Sequence, residues 1–321
     1  MTLLVAFANT QRSVLVVDRR VSSKQVILND EYNKATVFIC EDAKLAVAFT
    51  GLATHGGFST AKWLTETLSD ICQSTLSVHE VLATFAARAG SQFATLAAED
   101  RRTTFLFCGF IYSNGASEAR IYSVSNFEHG PHDPSSFTTS ALGGPDQTIT
   151  SLAGTTAPVP DSVPISLQRL LAADLKQSSL VRFAVKHLQL ASKSLKSLNQ
   201  IGEHCTAIVI TSQPNTPIVT TYHTTKNANT AYGPNIVVAR HFTGFGTEVM
   251  SGSVLAGPEI RKQDPCWCES GVSFKHCHMK KFGGIYVRHA AWKRPLIPFM
   301  RLGIDSPWAV GQHFLVGMGY E

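Results

Sequence analysis

Only 16% of the 321 residues are charged, and no apolar stretch reaches the eighteen or so residues needed to cross a bilayer as a helix. The scarcity of charge excludes a long disordered tail-like chain, and hydrophobic residues at 44% predict a globular protein with material for a sizeable core. No basic region followed by an apolar core and a cleavage site opens the chain, so the cytosol is the expected compartment, with no membrane partner. G-x-S-x-G, the P-loop and the dinucleotide fingerprint are all missing, which removes the usual serine-hydrolase, nucleotide-triphosphatase and Rossmann readings. Internal repeats and low-complexity tracts are also missing.

Cysteine is sparse over most of the chain. Cys40, Cys72, Cys108 and Cys205 stand singly in apolar surroundings, the pattern of reduced core thiols and not of a disulfide framework. Cys266, Cys268 and Cys277 are clustered, which is a different signal. Charge is uneven too. Arg261 to Arg301 holds nine Lys or Arg against Asp264 and Glu269, so this segment carries +7 of a chain whose net charge is +5. The basic character belongs to the tail, and the body is slightly acidic.

Hydrophobic patterning divides the body into alternating sets of strands and helices. TLLVAFA (2–8) and SVLVVD (13–18) read as strands around an Asn9–Arg12 turn, apolar on both faces as in a sheet covered on both sides. ATVFIC (35–40) and KLAVAFT (44–50) form a second predicted hairpin across Glu41 and Asp42, ended by Gly51. Helical spacing follows over 57–73 and 78–98, then strands over 104–113 and 119–125. A looser Gly, Pro, Ser and Thr-rich region runs to about 164, then helices over 165–175 and 177–197 and strands over 205–211 and 216–223. Two sheets, each covered by a helical pair, satisfy that order. From 224 the patterns weaken. The expected organisation is a body over 1–245, a linker over 246–262, a cysteine module over 263–280 and a basic, aromatic tail over 281–321.

The first hairpin has a register that can be counted. If Ala8 faces Ser13, the pairing runs back to Leu3 opposite Asp18, and Asp18 sits beside Thr2 at the open end. Lys34 stands just before the third strand, another sixteen residues on. Thr2, Asp18 and Lys34 are thus separated by sixteen and sixteen. With Asp18-Arg19-Arg20-Val21-Ser22 as D-x-R-x-S and the Gly51 of AFTGLATHG, the body resembles the N-terminal nucleophile hydrolases of the proteasome β-subunit-like family. The match in strand and helix order covers roughly 2–223. The resemblance implies an α+β fold, a four-layer αββα sandwich; the clustered cysteines add a small C-terminal zinc-binding module.

It also implies roles. Removal of Met1 would leave Thr2 as the chain-terminal nucleophile, its hydroxyl activated by its own α-amine, whose reference pKa is about 7.7–8.0. A nearby Lys34 ammonium would hold that amine neutral, and Asp18 would anchor Lys34. The Gly51 N–H is the expected oxyanion donor, glycine allowing the substrate backbone close approach. Arg20 and Ser22 would support the site and contact a bound peptide strand. The family further implies a peptide or amide substrate and assembly as a homo-oligomer. Two departures stand against this. In SALGGPD, Gly144 occupies the place of a supporting Ser, with Ser140 the nearest alternative. In SLNQIGEH, Leu198 or Asn199 and Ile201 stand where an Asp and a Ser are expected. A catalytically silent scaffold is therefore the alternative.

DPCWCESGVSFKHCH carries the second signal. Cys266, Cys268, Cys277 and His278 lie within thirteen residues, a donor set for one tetrahedral zinc with no position left open for catalysis. The spacing C-x-C-x8-C-H, with Ser270-Gly271 and Phe274-Lys275, resembles the SEC-C motif; Glu269 replaces its usual glycine. The resemblance implies a structural Zn2+ and a protein or ribosome contact, which the surrounding basic residues suit. HGPHD (129–133) reads as a polar turn before a metal pair, and His55 as a loop histidine near Gly51. The aromatic tail, with Trp292, Phe299, Trp308 and Phe314, fits either packing on the body or docking to a partner.

Overall fold

The computed structural model describes residues 2–223 apart from 24, 31, 41, 72–75, 114, 129–132, 145–146, 174–176 and 215–217, together with short pieces at 235–238, 259–260, 263, 272–273, 276, 285–287 and 319–320. The elements in order are β1 Leu3–Ala8, β2 Arg12–Asp18, β3 Val21–Ser23, β4 Val26–Asn29, β5 Ala35–Cys40, β6 Ala43–Gly51, β7 Thr54–His55 and β8 Phe58–Ser59. Next come α1 Thr60–Ile71, α2 Val78–Ala94, β9 Thr103–Ser113, β10 Ala116–Ser125, β11 Thr138–Leu142 and β12 Ile149–Gly154. Then follow α3 Ser162–Ala172, α4 Gln177–Lys193, a 3-10 turn Leu195–Ser197, β13 Cys205–Thr211 and β14 Val219–His223. Short strands β15 Asn235–Val238, β16 Glu259–Ile260, β17 Ile285–Val287 and β18 Gly319–Tyr320 complete the set.

The first sheet runs β12-β1-β2-β13-β14 and continues through β18, β17 and β16; the second runs β11-β10-β9-β6-β5-β15. β1, β2 and β13 of the first sheet pack across β6 and β9 of the second. Each outer face is covered by helices. Phe38, Leu45, Val47, Phe49, Phe105 and Phe107 meet α1 and α2 through Leu64, Leu68, Phe85 and Phe93. Leu3, Val5, Phe7, Val14 and Val16 meet α3 and α4 through Leu167, Leu171, Leu180 and Leu188. The fold is therefore mixed α+β and mostly sheet. The apolar-on-both-faces pattern of β1, β2, β5 and β6 follows, because each strand has a helix on one side and another sheet on the other.

Local signals decide several boundaries. Asn9 Oδ1 accepts the Gln11 and Arg12 N–H groups at 3.0 and 2.9 Å, closing the first turn as an Asn side chain does. Ser77 and Glu80 cap α2 reciprocally, Glu80 Oε2 accepting the Ser77 N–H at 2.9 Å. The region expected to be loose up to 164 is not uniformly so. It contains β11, the edge partner of β10, and β12, which pairs antiparallel with β1 over Leu3–Ala8. Only Ile149 and Ala153 of β12 are buried, so no apolar alternation marks it in the sequence. The β3–β4 hairpin was likewise not expected. Among the described residues no helix is long and apolar enough to cross a membrane. Cys72, most of HGPHD, most of 246–262, most of the tail and the four expected metal ligands lie outside the described residues.

Candidate active site

The register expected for the first hairpin is present: Ala8 pairs with Ser13 and Leu4 with Val17. One step further, Asp18 Oδ2 accepts the Leu3 N–H at 2.8 Å, which fixes the carboxylate beside Thr2. Its other oxygen, Oδ1, accepts the Arg20 N–H at 2.8 Å, the Gly202 N–H at 3.1 Å and the Lys34 Nζ at 3.3 Å. Asp18 is fully buried, so these donors replace water around its charge.

Lys34 reaches the same point from the other sheet. It precedes β5 and is 2% exposed. Its Nζ donates to Asp18 Oδ1, to the Arg20 carbonyl and to the Thr2 hydroxyl oxygen. All three hydrogens of an ammonium thus have acceptors. Burial lowers the proton affinity of Lys34 from the ordinary lysine range; Asp18 works against that shift, and Arg19 and Arg20 work with it. The sequence expectation gave Lys34 one task, acting on the α-amine. In the structure its Nζ also touches the hydroxyl that would react.

Thr2 is held on its main-chain side as well. Its N–H donates to Thr50 Oγ1 at 3.1 Å, and its carbonyl accepts from Thr50 Oγ1 at 3.1 Å and from the Thr155 N–H at 2.9 Å. Gly154 makes this approach possible, since its φ is 87° and a Cβ there would overlap the Thr2 carbonyl oxygen. The Thr155 hydroxyl donates to Gln200 Oε1 at 2.8 Å, tying the end of β12 to the loop after α4.

Gly51 ends β6 at φ 107° and lines a cleft of about 660 Å³ with Val21, Ser22, Leu28, His55 and Gln200. Glycine is required there, although not for the reason the sequence suggests. A Cβ would run into the carbonyl of Arg102, the residue before β9, so the constraint comes from inside the protein. Arg20 supports the site mainly through its backbone, while its side chain pairs with Asp30, Nε to Oδ1 at 2.5 Å. Glu99, Asp100 and Arg102 form another wall of the cleft, with Arg102 Nη2 bonded to Asp100 Oδ2 at 2.7 Å.

Lys34 is therefore in contact with both Thr2 and Asp18, with Gly51 and Ser22 on the adjoining cleft. Ser140 pairs with Ser123 on the edge of the second sheet, and neither it nor Gly144 is among these partners of Thr2. In SLNQIGEH, Leu198 and Asn199 adopt left-handed conformations, at φ 48° and 59°, and Ile201 is buried. The loop contributes Gly202 N–H to Asp18 and Gln200 to Thr155 instead of a carboxylate and a serine. Sequence reasoning missed Thr50, Gly154, Thr155, Gln200 and Gly202. Of these only Thr50 had a readable signal. On the face of β6 turned from the helices it is, with Lys44, a polar residue beside Ala46 and Ala48.

A comparison with curated proteins finds no match. Among solved structures the chain is similar to Anbu (ancestral beta-subunit) from Yersinia bercovieri, with a TM-score of 0.43 and 14% identity, covering 64% of this chain and 80% of that one. Residues 264–280 match the SEC-C motif, so the chain carries that motif in its C-terminal part.

Proposed function

We propose that the chain is a threonine-type amidohydrolase, a peptidase, with Thr2 as nucleophile once Met1 has been removed. The observation that carries the proposal is the buried Lys34 Nζ bonded at once to the Thr2 hydroxyl and the Asp18 carboxylate. A buried lysine held against a threonine hydroxyl costs folding energy and suits chemistry better than packing.

In the proposed reaction the Thr2 Oγ–H proton passes to the α-amine as an Oγ–C bond forms to the substrate carbonyl. The carbonyl π pair moves to its oxygen, where Gly51 N–H would stabilise it. Collapse restores the carbonyl and breaks the C–N bond, the leaving nitrogen taking the proton from the α-ammonium. Water then attacks the Thr2 ester, gives its proton to the amine, and the acid departs with Thr2 restored. Lys34 would donate to Oγ as negative charge develops there, with Asp18 balancing its charge. Ser22 and the cleft would receive the peptide.

Support for the second reading, a silent scaffold, comes from the buried Ile201 and the left-handed Leu198 and Asn199 where an acid and a serine were expected. Intact and N-terminal peptide mass spectrometry after treatment with an epoxyketone or β-lactone decides between them. Chains that begin at Thr2 and carry the label there, with none on Thr2→Ala, support the enzyme. Retention of Met1 in most molecules made by the native host would sink it.

For the C-terminal part, we propose one structural Zn2+ held by Cys266, Cys268, Cys277 and His278. Three thiols and an imidazole at these spacings are the chemistry of a closed zinc site. Its corresponding role is contact with a protein or the ribosome, while the body forms a homo-oligomer.

A further inference from the structure

We propose that Thr50 is the positioning residue for the Thr2 amine, a role that rests on the threonine-hydrolase reading above. Both hydrogen bonds of the Thr50 hydroxyl go to Thr2: it accepts from the Thr2 nitrogen and donates to the Thr2 carbonyl, each at 3.1 Å. A hydroxyl has one proton. While that proton stays on the carbonyl, the face of Oγ1 turned to the nitrogen is a lone pair and accepts.

That constraint has a chemical consequence. A free neutral amine has two hydrogens and one lone pair in three staggered places. The place facing Thr50 must hold a hydrogen, since two lone pairs would repel there. The basic lone pair is thereby confined to the remaining two places, away from Thr50 and free to serve the reacting hydroxyl. In the chain that still carries Met1 both residues are buried, Thr50 at 1% and Thr2 at 3% exposure, which shields the Thr50 hydroxyl from competing water. The Thr155 N–H holds the same carbonyl from a second direction, and Gly154 leaves the space, since a Cβ there would also crowd Thr50 Oγ1 at 2.5 Å. Thr50 thus does from β6 part of what the missing serine and aspartate would do elsewhere.

The experiment measures the second-order rate of Thr2 labelling by a β-lactone against pH, counted per chain that begins at Thr2. Thr50→Val keeps the shape and removes both bonds. Its plateau rate should fall about 10²-fold, the scale of a misplaced reacting group. The acid limb should move to lower pH, because an acceptor on the amine favours its protonated form. Thr50→Ser should restore most of the rate and the original midpoint. If Thr50→Val does not fold, Thr50→Ala against Thr50→Ser makes the same comparison. A rate constant and pH midpoint equal to those of the unaltered protein, even with a lower labelled fraction or melting temperature, would show a structural role only and overturn the inference. An unlabelled parent protein overturns the hydrolase reading along with it, whereas a labelled parent with an equally fast valine variant overturns this inference alone.

Discussion

Lys34 and Lys44 are two buried lysines at opposite ends of one hairpin. Lys34 enters β5 at the open end, and Lys44 lies on β6 beside the turn, paired with Ile39. Both are almost wholly enclosed, and burial is the leading cause of a lowered proton affinity in both, with Lys44 brought down to about 7. A search for perturbed lysines would select the two alike. What separates them is that Lys34 meets the Thr2 hydroxyl. Lys34 is shared among a carboxylate that three backbone N–H groups already hold, a main-chain carbonyl and a threonine hydroxyl. Burial disfavours the charge of a lysine; around Lys34 the neighbouring oxygen atoms accept its hydrogens and aim it at the Thr2 hydroxyl.

The largest break in this comparison should come from Lys34→Met and Lys44→Met. Labelling of Thr2 should fall by about 10³-fold in the first, the scale of a lost donor to charge developing in the reaction. The second should leave it unchanged. Equal losses in both variants would mean that the sheet, and not the Lys34 contacts, controls reactivity.

Asp18→Asn is expected next. The three backbone N–H donors would face an amide without full charge, and Lys34 would lose its counter-ion in a buried site. Urea unfolding should show a loss of about 3 kcal/mol, with labelling greatly reduced. An unchanged midpoint would place Asp18 outside the stabilising network.

A smaller effect is expected in the pH dependence of stability. An unfolded lysine holds its proton to about 10.4, whereas folded Lys44 releases it near 7, so the unfolded state binds more protons above neutrality. Stability should rise with pH from about 7, with a slope approaching about 1.4 kcal/mol per unit, and Lys34 adds in the same direction. Above about 8.5 an opposing effect sets in and the rise levels off. Unfolded thiols ionise there, while burial pushes Cys108 up to about 12 and raises Cys205 as well. Lys44→Met should flatten the rising limb and raise the melting temperature most near or below pH 7. A rising limb unchanged in Lys44→Met would show that this lysine stays charged in the fold.

The smallest expected effect on the site comes from zinc. Cys268→Ser should reduce bound zinc from one per chain towards none, by elemental analysis, yet leave Thr2 labelling unchanged. Loss of labelling on chelation would join the SEC-C segment to the catalytic unit.

How the site could be read in advance depends on distance along the chain. Thr2 and Asp18 were placed by counting, because an antiparallel hairpin with a known turn leaves one register that keeps the apolar faces buried. Lys34 and Gly51 came with the second hairpin and the family pattern. Thr50, Gly154, Thr155 and Gly202 could not be counted in this way. Their contacts with Thr2 and Asp18 span 48 to 184 positions, and no turn sets such a pairing. β12 was missed for a related reason: it is half-exposed and rich in Ser and Thr, so its place is defined by the edge of β1 that it completes.

The amino-acid sequence by itself determined the strands that are apolar on both faces, the sixteen-residue spacings, the D-x-R-x-S run and the cysteine and histidine set of the SEC-C motif. These are local, carried by periodicity and short spacing. Only the tertiary structure decided that Lys34 touches the Thr2 hydroxyl and that Thr50 clamps Thr2. It also decided that Gly51 is required by the Arg102 carbonyl, and that Lys44, equally buried, stands apart from the site. The reason is that the Lys34 and Thr50 contacts form between two sheets brought together by burial of their apolar faces, and the Gly51 contact between residues far apart in the chain. Burial of area is non-directional, so nothing in the order of residues says which polar groups will meet once it has happened.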